Sequence, residues 1–85
     1  MNTNTMITIK EVKAIETKMK RRLTKCIKEE SGRDWERLWR EERKDYKELM
    51  NFVPTSTDEQ SILSRLVSMH NNIREGVTAM TGKVH

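Results

Sequence analysis

The side chains of this chain with the clearest capacity to act on another molecule are basic. Lys18, Arg21, Arg22, Lys25 and Lys28 recur every three or four residues or are adjacent. At about 100° per residue they line one side of a helix. A stripe of this kind neutralises phosphates, giving salt-sensitive, sequence-blind binding to nucleic acid; it also suits an acidic protein partner. The alternative is a solvated face that answers the acidic side of a neighbouring helix. No helix-turn-helix spacing and no Asn, Gln or Arg cluster beside a helix start accompanies the stripe, so base-specific reading is not indicated.

The other reactive groups are isolated. His70 falls where an aliphatic residue would continue an apolar seam, the position of a hydrogen-bonded core histidine or of a pH-sensitive contact. The second histidine is the distant His85, so a zinc site lacks ligands and no metal or other cofactor is expected. Cys26, the single cysteine, lies on an apolar stripe and reads as a small hydrophobe, although nearby lysines favour a thiolate. Nucleophile elbow, Gly-rich phosphate loop and paired histidines are all missing from the sequence. The carboxylates are interleaved with cations, as on solvated helix faces, and not gathered as in a dry acid–base pocket. A non-enzymatic protein is expected.

The elements that carry these groups are helices. The stretch Asp34 to Val53 holds both tryptophans, the one tyrosine and the one phenylalanine. Its large side chains fall at Trp35, Leu38, Trp39, Tyr46, Leu49, Met50 and Val53, the period of one helical face. The exposed face offers the pairs Glu36–Arg40, Arg37–Glu41 and Lys44–Glu48, each worth roughly 0.2–0.5 kcal/mol. Trp35, Trp39 and Tyr46 belong to the residue types that dominate binding hot spots and also small cores, so they are the candidate partner contacts.

Thr8 with Glu11 forms a capping box before an apolar stripe of Val12, Ile15, Met19, Leu23, Cys26 and Ile27, with Ile7 and Val12 as a hydrophobic staple and Gly32 as the left-handed terminator. Asp34 or Ser31 caps the second helix, and Pro54 closes it. The loop beyond Pro54 holds the next caps, Ser56 with Glu59 or Thr57 with Gln60. Leu63, Leu66, His70, Ile73, Val77 and Met80 then step by three and four up to Gly82. Gly76 within that helix either permits close helix approach or marks a weak end. Met19, Met50, Met69 and Met80 fall on or beside apolar faces as core filler or adaptable contact surface.

The expected architecture is a single all-α domain over 1–85, with helices about 9–31, 34–53 and 57–81. Residues 1–7 and 83–85 are read as frayed. Neighbouring helices run antiparallel, with the second in the middle. With 34% apolar and 35% charged residues the core is lean, which favours a homodimer or a partner-completed complex. The +4 net charge resides in residues 10–28, which carry +6, whereas 29–50 sum to −2 and 51–85 to zero. One cysteine and no long apolar run point to a soluble, cytoplasmic protein with no membrane span of its own.

Two segments, SGRDWERLWREERKDYKELMNFVPTSTDEQ and SRLVSMHNNIREGVTAMTG, resemble the rapid-lysis III accessory protein family of T-even bacteriophages. The likeness is one of overall texture and length, covers nearly the whole chain, and assigns no site residue. It implies a cytoplasmic antiholin that binds the cytoplasmic part of the phage holin and delays lysis. The residues alone leave the choice between a helix-capturing interaction protein, a small basic nucleic-acid-binding regulator and an inhibitor of a host enzyme.

Overall fold

The computed structural model describes residues 6–85. Three helices make up the fold: α1 (Ile9–Lys28), α2 (Trp35–Leu49) and α3 (Thr57–Thr81). Each starts on a polar cap that satisfies a backbone N–H of the first turn. Thr8 Oγ1 accepts from the Glu11 N–H at 3.2 Å while the Glu11 carboxylate accepts from the Thr8 N–H at 2.9 Å, the full capping box. Asp34, not Ser31, caps α2 by accepting from Arg37 N–H at 3.0 Å. Ser56 caps α3 by accepting from Glu59 N–H at 3.1 Å, but the Glu59 carboxylate reaches back to Thr55 instead of closing the box on Ser56.

The helix ends differ from expectation. Helix α1 stops at Lys28, and the left-handed residue is Glu29, at φ 50°, with Gly32 (φ 74°) taking a later turn position. Ile27, within α1 but about 100° round from the inward residue Cys26, lies outside the apolar stripe and is 72% exposed. Helix α2 ends at Leu49, not Val53. Asn51 N–H donates to Glu48 O and Phe52 N–H to Leu49 O, bonds of the tighter three-residue type. This tightening swings Phe52 into the core and leaves Met50 and Val53 outside, so the apolar face expected over 50–53 is broken. Gly82 ends α3 in the left-handed conformation, as expected.

Cross-helix contacts give the directions. Arg22 meets Glu42 and Lys18 meets Asp45, so α1 and α2 are antiparallel. Glu42 meets His70 and Glu36 meets Lys83, so α2 and α3 are antiparallel as well. Arg65 bonds to Glu16 and Gly76 lies against Cys26, which makes α1 and α3 parallel. The result is an up-down-up three-helix bundle with no strand among the described residues. Helix α3, not α2, is the shared element, packing most extensively on α1.

Gly76 sets that contact. A Cβ there would stand 2.7 Å from Cys26 Cβ and 2.9 Å from its Sγ. Hydrogen in place of a methyl lets the two helices close to backbone distance, so of its two readings, close approach holds. Val12, Ile15, Met19, Leu49, Leu66, Ile73 and Val77 fill the interior, with Trp35, Leu38, Trp39, Phe52 and Met69 around them. The apolar stripes are thus largely spent on one another within one chain. Among the described residues no helix is long and apolar enough to cross a membrane. Of residues 83–85, expected to be frayed, Lys83 N–H donates to Thr81 Oγ1 and the His85 ring lies against Trp39 with centroids 5.6 Å apart, while Val84 is exposed. Of the amino-terminal stretch also expected to be frayed, residues 1–5 lie outside the described part and Ile7 packs on the core.

Candidate functional site

Charge enters the core where each apolar stripe has a gap. On α1 the inward positions are Val12, Ile15, Met19, Arg22 and Cys26. On α2 they are Trp35, Leu38, Trp39, Glu42, Asp45 and Leu49. On α3 they include His70. These gaps face one another. The Arg22 guanidinium donates from Nη1 to Glu42 Oε1 at 2.9 Å and from Nη2 to Asp45 Oδ2 at 2.5 Å. Glu42, 0% exposed, receives His70 Nδ1 on its other oxygen at 2.7 Å. The His70 ring stacks face to face on Tyr46, centroids 3.7 Å apart, and lies near Trp39 at 5.2 Å. No buried side-chain polar atom among the described residues lacks a partner. That is the condition for such a network to be tolerated in a core.

Burial by itself pulls the Arg22 pKa down. The hydrogen bonds to Asp45 and Glu42, with their charges, outweigh it, and the net shift is upward. Arg22 is therefore a permanent cation that holds the two carboxylates in place. Cys26 shifts upward too, first from burial and then from the nearby Glu42 charge, which keeps its sulfur a thiol. Its Sγ sits 3.9 Å from Ile73 O, as a core residue would.

The predicted site residues are distributed unevenly. Trp35 and Trp39 are 9% and 8% exposed and belong to the internal core, so neither offers a free surface. Tyr46 is half-buried over His70. Of the basic stripe, Arg22 is consumed inside and Lys18 lies 3.9 Å from Asp45, while Arg21 and Lys28 remain exposed and Lys25 half-buried. The stripe is split because the face it shares with Met19 and Cys26 turns inward at position 22. Glu42 and Asp45 are expected on a solvated face because they are charged, whereas both are buried as partners of Arg22. The signal was the two-turn jump from Trp39 to Tyr46. An uninterrupted inner face needs a residue near 42.

Two depressions flank α2. The first, about 530 Å³, lies between α1 and the start of α2 and collects Lys18, Arg21, Arg22, Lys25, Arg33 and Arg37. Most of these cations are already answered: Lys18 and Arg22 as above, Arg33 by Glu30 at 2.7 Å, Arg37 by Glu41 at 3.5 Å. The second, about 1050 Å³, runs between α2 and α3 and collects Arg40, Arg43, Lys44, Lys47 and Arg74. None of these has an acidic partner within ion-pair distance among the described residues. Of the surface pairs expected on α2, only Arg37–Glu41 forms; Glu36 turns instead to Lys83 at 3.5 Å, leaving Arg40 free.

Chemically, a carboxylate bonded to an imidazole is part of a proton-transfer device. Here Glu42 spends its second oxygen on Arg22, and among the described residues no hydroxyl or thiol bonds to His70. Nor does any group of three or more His, Cys, Asp or Glu among them lie close enough to hold a metal ion. The arrangement is a satisfied structural lock beneath an open, positively charged groove. No protein-family profile, characterised protein or solved structure gives a significant match to this chain.

Proposed function

We propose that this chain is a small helical interaction protein without catalytic activity, acting as a lysis-inhibition accessory (an antiholin) that binds the cytoplasmic part of a phage holin in the host cytosol. The setting comes from the resemblance of residues 31–60 and 64–82 to the rapid-lysis III family. The observation that supports a binding role is the α2–α3 groove, a concave surface with five unpaired cations on a rigid bundle whose ionisable core is fully satisfied. Uncompensated charge beside a preformed groove favours fast association with an oppositely charged partner and costs little ordering when the partner docks. Isothermal titration of the full chain with a synthetic peptide of the holin's cytoplasmic segment tests this. Saturable binding and delayed lysis on co-expression are the expected results; the absence of both refutes the assignment.

A second reading is favoured by the same five cations: sequence-blind nucleic-acid binding, through α2 and not through the α1 stripe. Mobility-shift assays over a salt series separate the two. A complex with single- or double-stranded DNA at low salt that is lost steeply as salt rises supports the second reading, and no shift at low salt removes it.

A further inference from the structure

We infer that the α2–α3 groove is built for an amphipathic helix with an acidic flank. The inference deepens the proposed binding role and rests on it. Helix α2 draws two of its acids inward, while Glu36, the acid that borders the groove, pairs with Lys83. Glu42 and Asp45 point inward and are consumed by Arg22 and His70. Arg40, Arg43, Lys44 and Lys47 stand on the outer side at i, i+3, i+4 and i+7, one face of the helix and about 10 Å of its length. Arg74 faces them from α3 across the groove. Segment 29–50 sums to −2 in the sequence; with Glu42 and Asp45 drawn into the core its remaining charges balance, and the face toward the groove is the one that gathers its unpaired cations.

The occupant follows from the lining. A cleft between two packed helices seats a third at normal helix spacing. The basic wall calls for carboxylates along one flank of that helix. Met50, 48% exposed, and the exposed Val84 at the groove's end call for apolar side chains beside them. Bases of a nucleic-acid strand fit less well. Stacking needs open aromatic faces, but Trp39 and His70 are buried and Tyr46 spends one face on His70.

The test uses the full chain and a synthetic helical peptide of about 20 residues, roughly 30 Å of helix, with a leucine stripe and a glutamate flank. Controls are the same peptide with lysine for glutamate, and an oligothymidylate. Binding is followed by calorimetry and by amide chemical shifts. The expected result is saturable binding of the acidic peptide, with shifts confined to α2 and α3. The double reversal Arg43→Glu with Lys47→Glu weakens it about tenfold or more, while Arg21→Glu with Lys28→Glu leaves it within about twofold. Circular dichroism melts confirm that both variants, altered at exposed positions, stay folded. No binding, equal binding of the lysine peptide, or indifference to the α2 reversal overturns the inference. So does tighter binding of the oligothymidylate, which instead establishes the nucleic-acid reading. If the acidic peptide binds and the holin segment does not, the groove chemistry stands and the lysis setting falls. If the holin segment binds regardless of the α2 reversal, the setting stands and the groove chemistry falls.

Discussion

The two sides of α2 handle positive charge in opposite ways. On the α1 side, Arg22 is buried, donates to two carboxylates and keeps its charge because those bonds outweigh desolvation. On the α3 side, Arg40, Arg43, Lys44 and Lys47 are exposed and unanswered. Both sets look alike in the sequence, where cations alternate with acids throughout 33–50. The difference shows that local net charge says little about surface potential when one sign is drawn into the core. An inward cation is a stability element. An outward one is a means of meeting another molecule.

The sharpest way to break this contrast is to remove the inner cation. Arg22→Met leaves Glu42 and Asp45 buried without their cation, and unfolding in urea is expected to show a loss of roughly 3–5 kcal/mol. A loss below about 1 kcal/mol means that the network is wet and that the two sides of α2 do not differ.

Next in size is the depth at which α3 lies on α1, since His70 reaches Glu42 only if that packing holds. Gly76→Ala gains about 1 kcal/mol in helix propensity but drives a methyl into Cys26, an overpacking cost of about 1–3 kcal/mol. A net thermal destabilisation is expected. Because the nearest atom is the Cys26 Cβ, Cys26→Ser does not rescue it, whereas Cys26→Gly does in part.

The thiol sharpens the contrast through pH. Burial, then the charge of Glu42, raise the Cys26 pKa in the folded state. Its contribution is therefore fully present below the unfolded thiol value of about 8.5 and is lost as pH rises from there through the folded value. Chemical denaturation of wild type and Cys26→Ser between neutral and alkaline pH is expected to diverge above that point, by no more than about 1.4 kcal/mol per pH unit. Parallel curves refute a buried thiol.

The smallest effect lies on the outer side. Arg43→Glu with Lys47→Glu is expected to change folding stability by less than about 0.5 kcal/mol, although it reverses the charge of the groove. A large loss places these residues in the fold and not on a binding surface.

Much of the architecture was legible from the residues in order. The cap Thr8 and the terminator Gly82 act within one helical turn, so sequence spacing is enough to find them, and it narrows the other two caps to Asp34 or Ser31 and to Ser56 or Thr57, of which Asp34 and Ser56 cap. The stripe of Leu66, His70, Ile73 and Val77 was equally visible, because one amphipathic face needs only its own period. The helix ends near 29 and 50 were less so. Glu29 takes the left-handed position two residues before Ser31, and Phe52 is pulled inward past the end of α2, both set by where the next helix docks. Nor could Trp35 and Trp39 be sorted between core and contact surface, since both uses demand the same side chains.

Sequence alone determined three helices, their approximate starts, the apolar part of their inner stripes and the antiparallel order of neighbours along the chain, all consequences of short-range hydrogen bonding, helical period and short connections. Tertiary structure decided which charges are spent and which remain. Arg22, Glu42 and His70 lie 20 and 28 residues apart, and only packing of three helices on one axis brings them within bonding distance. That long-range closure takes Glu42 and Asp45 out of the field that the lysines and arginines of α2 project.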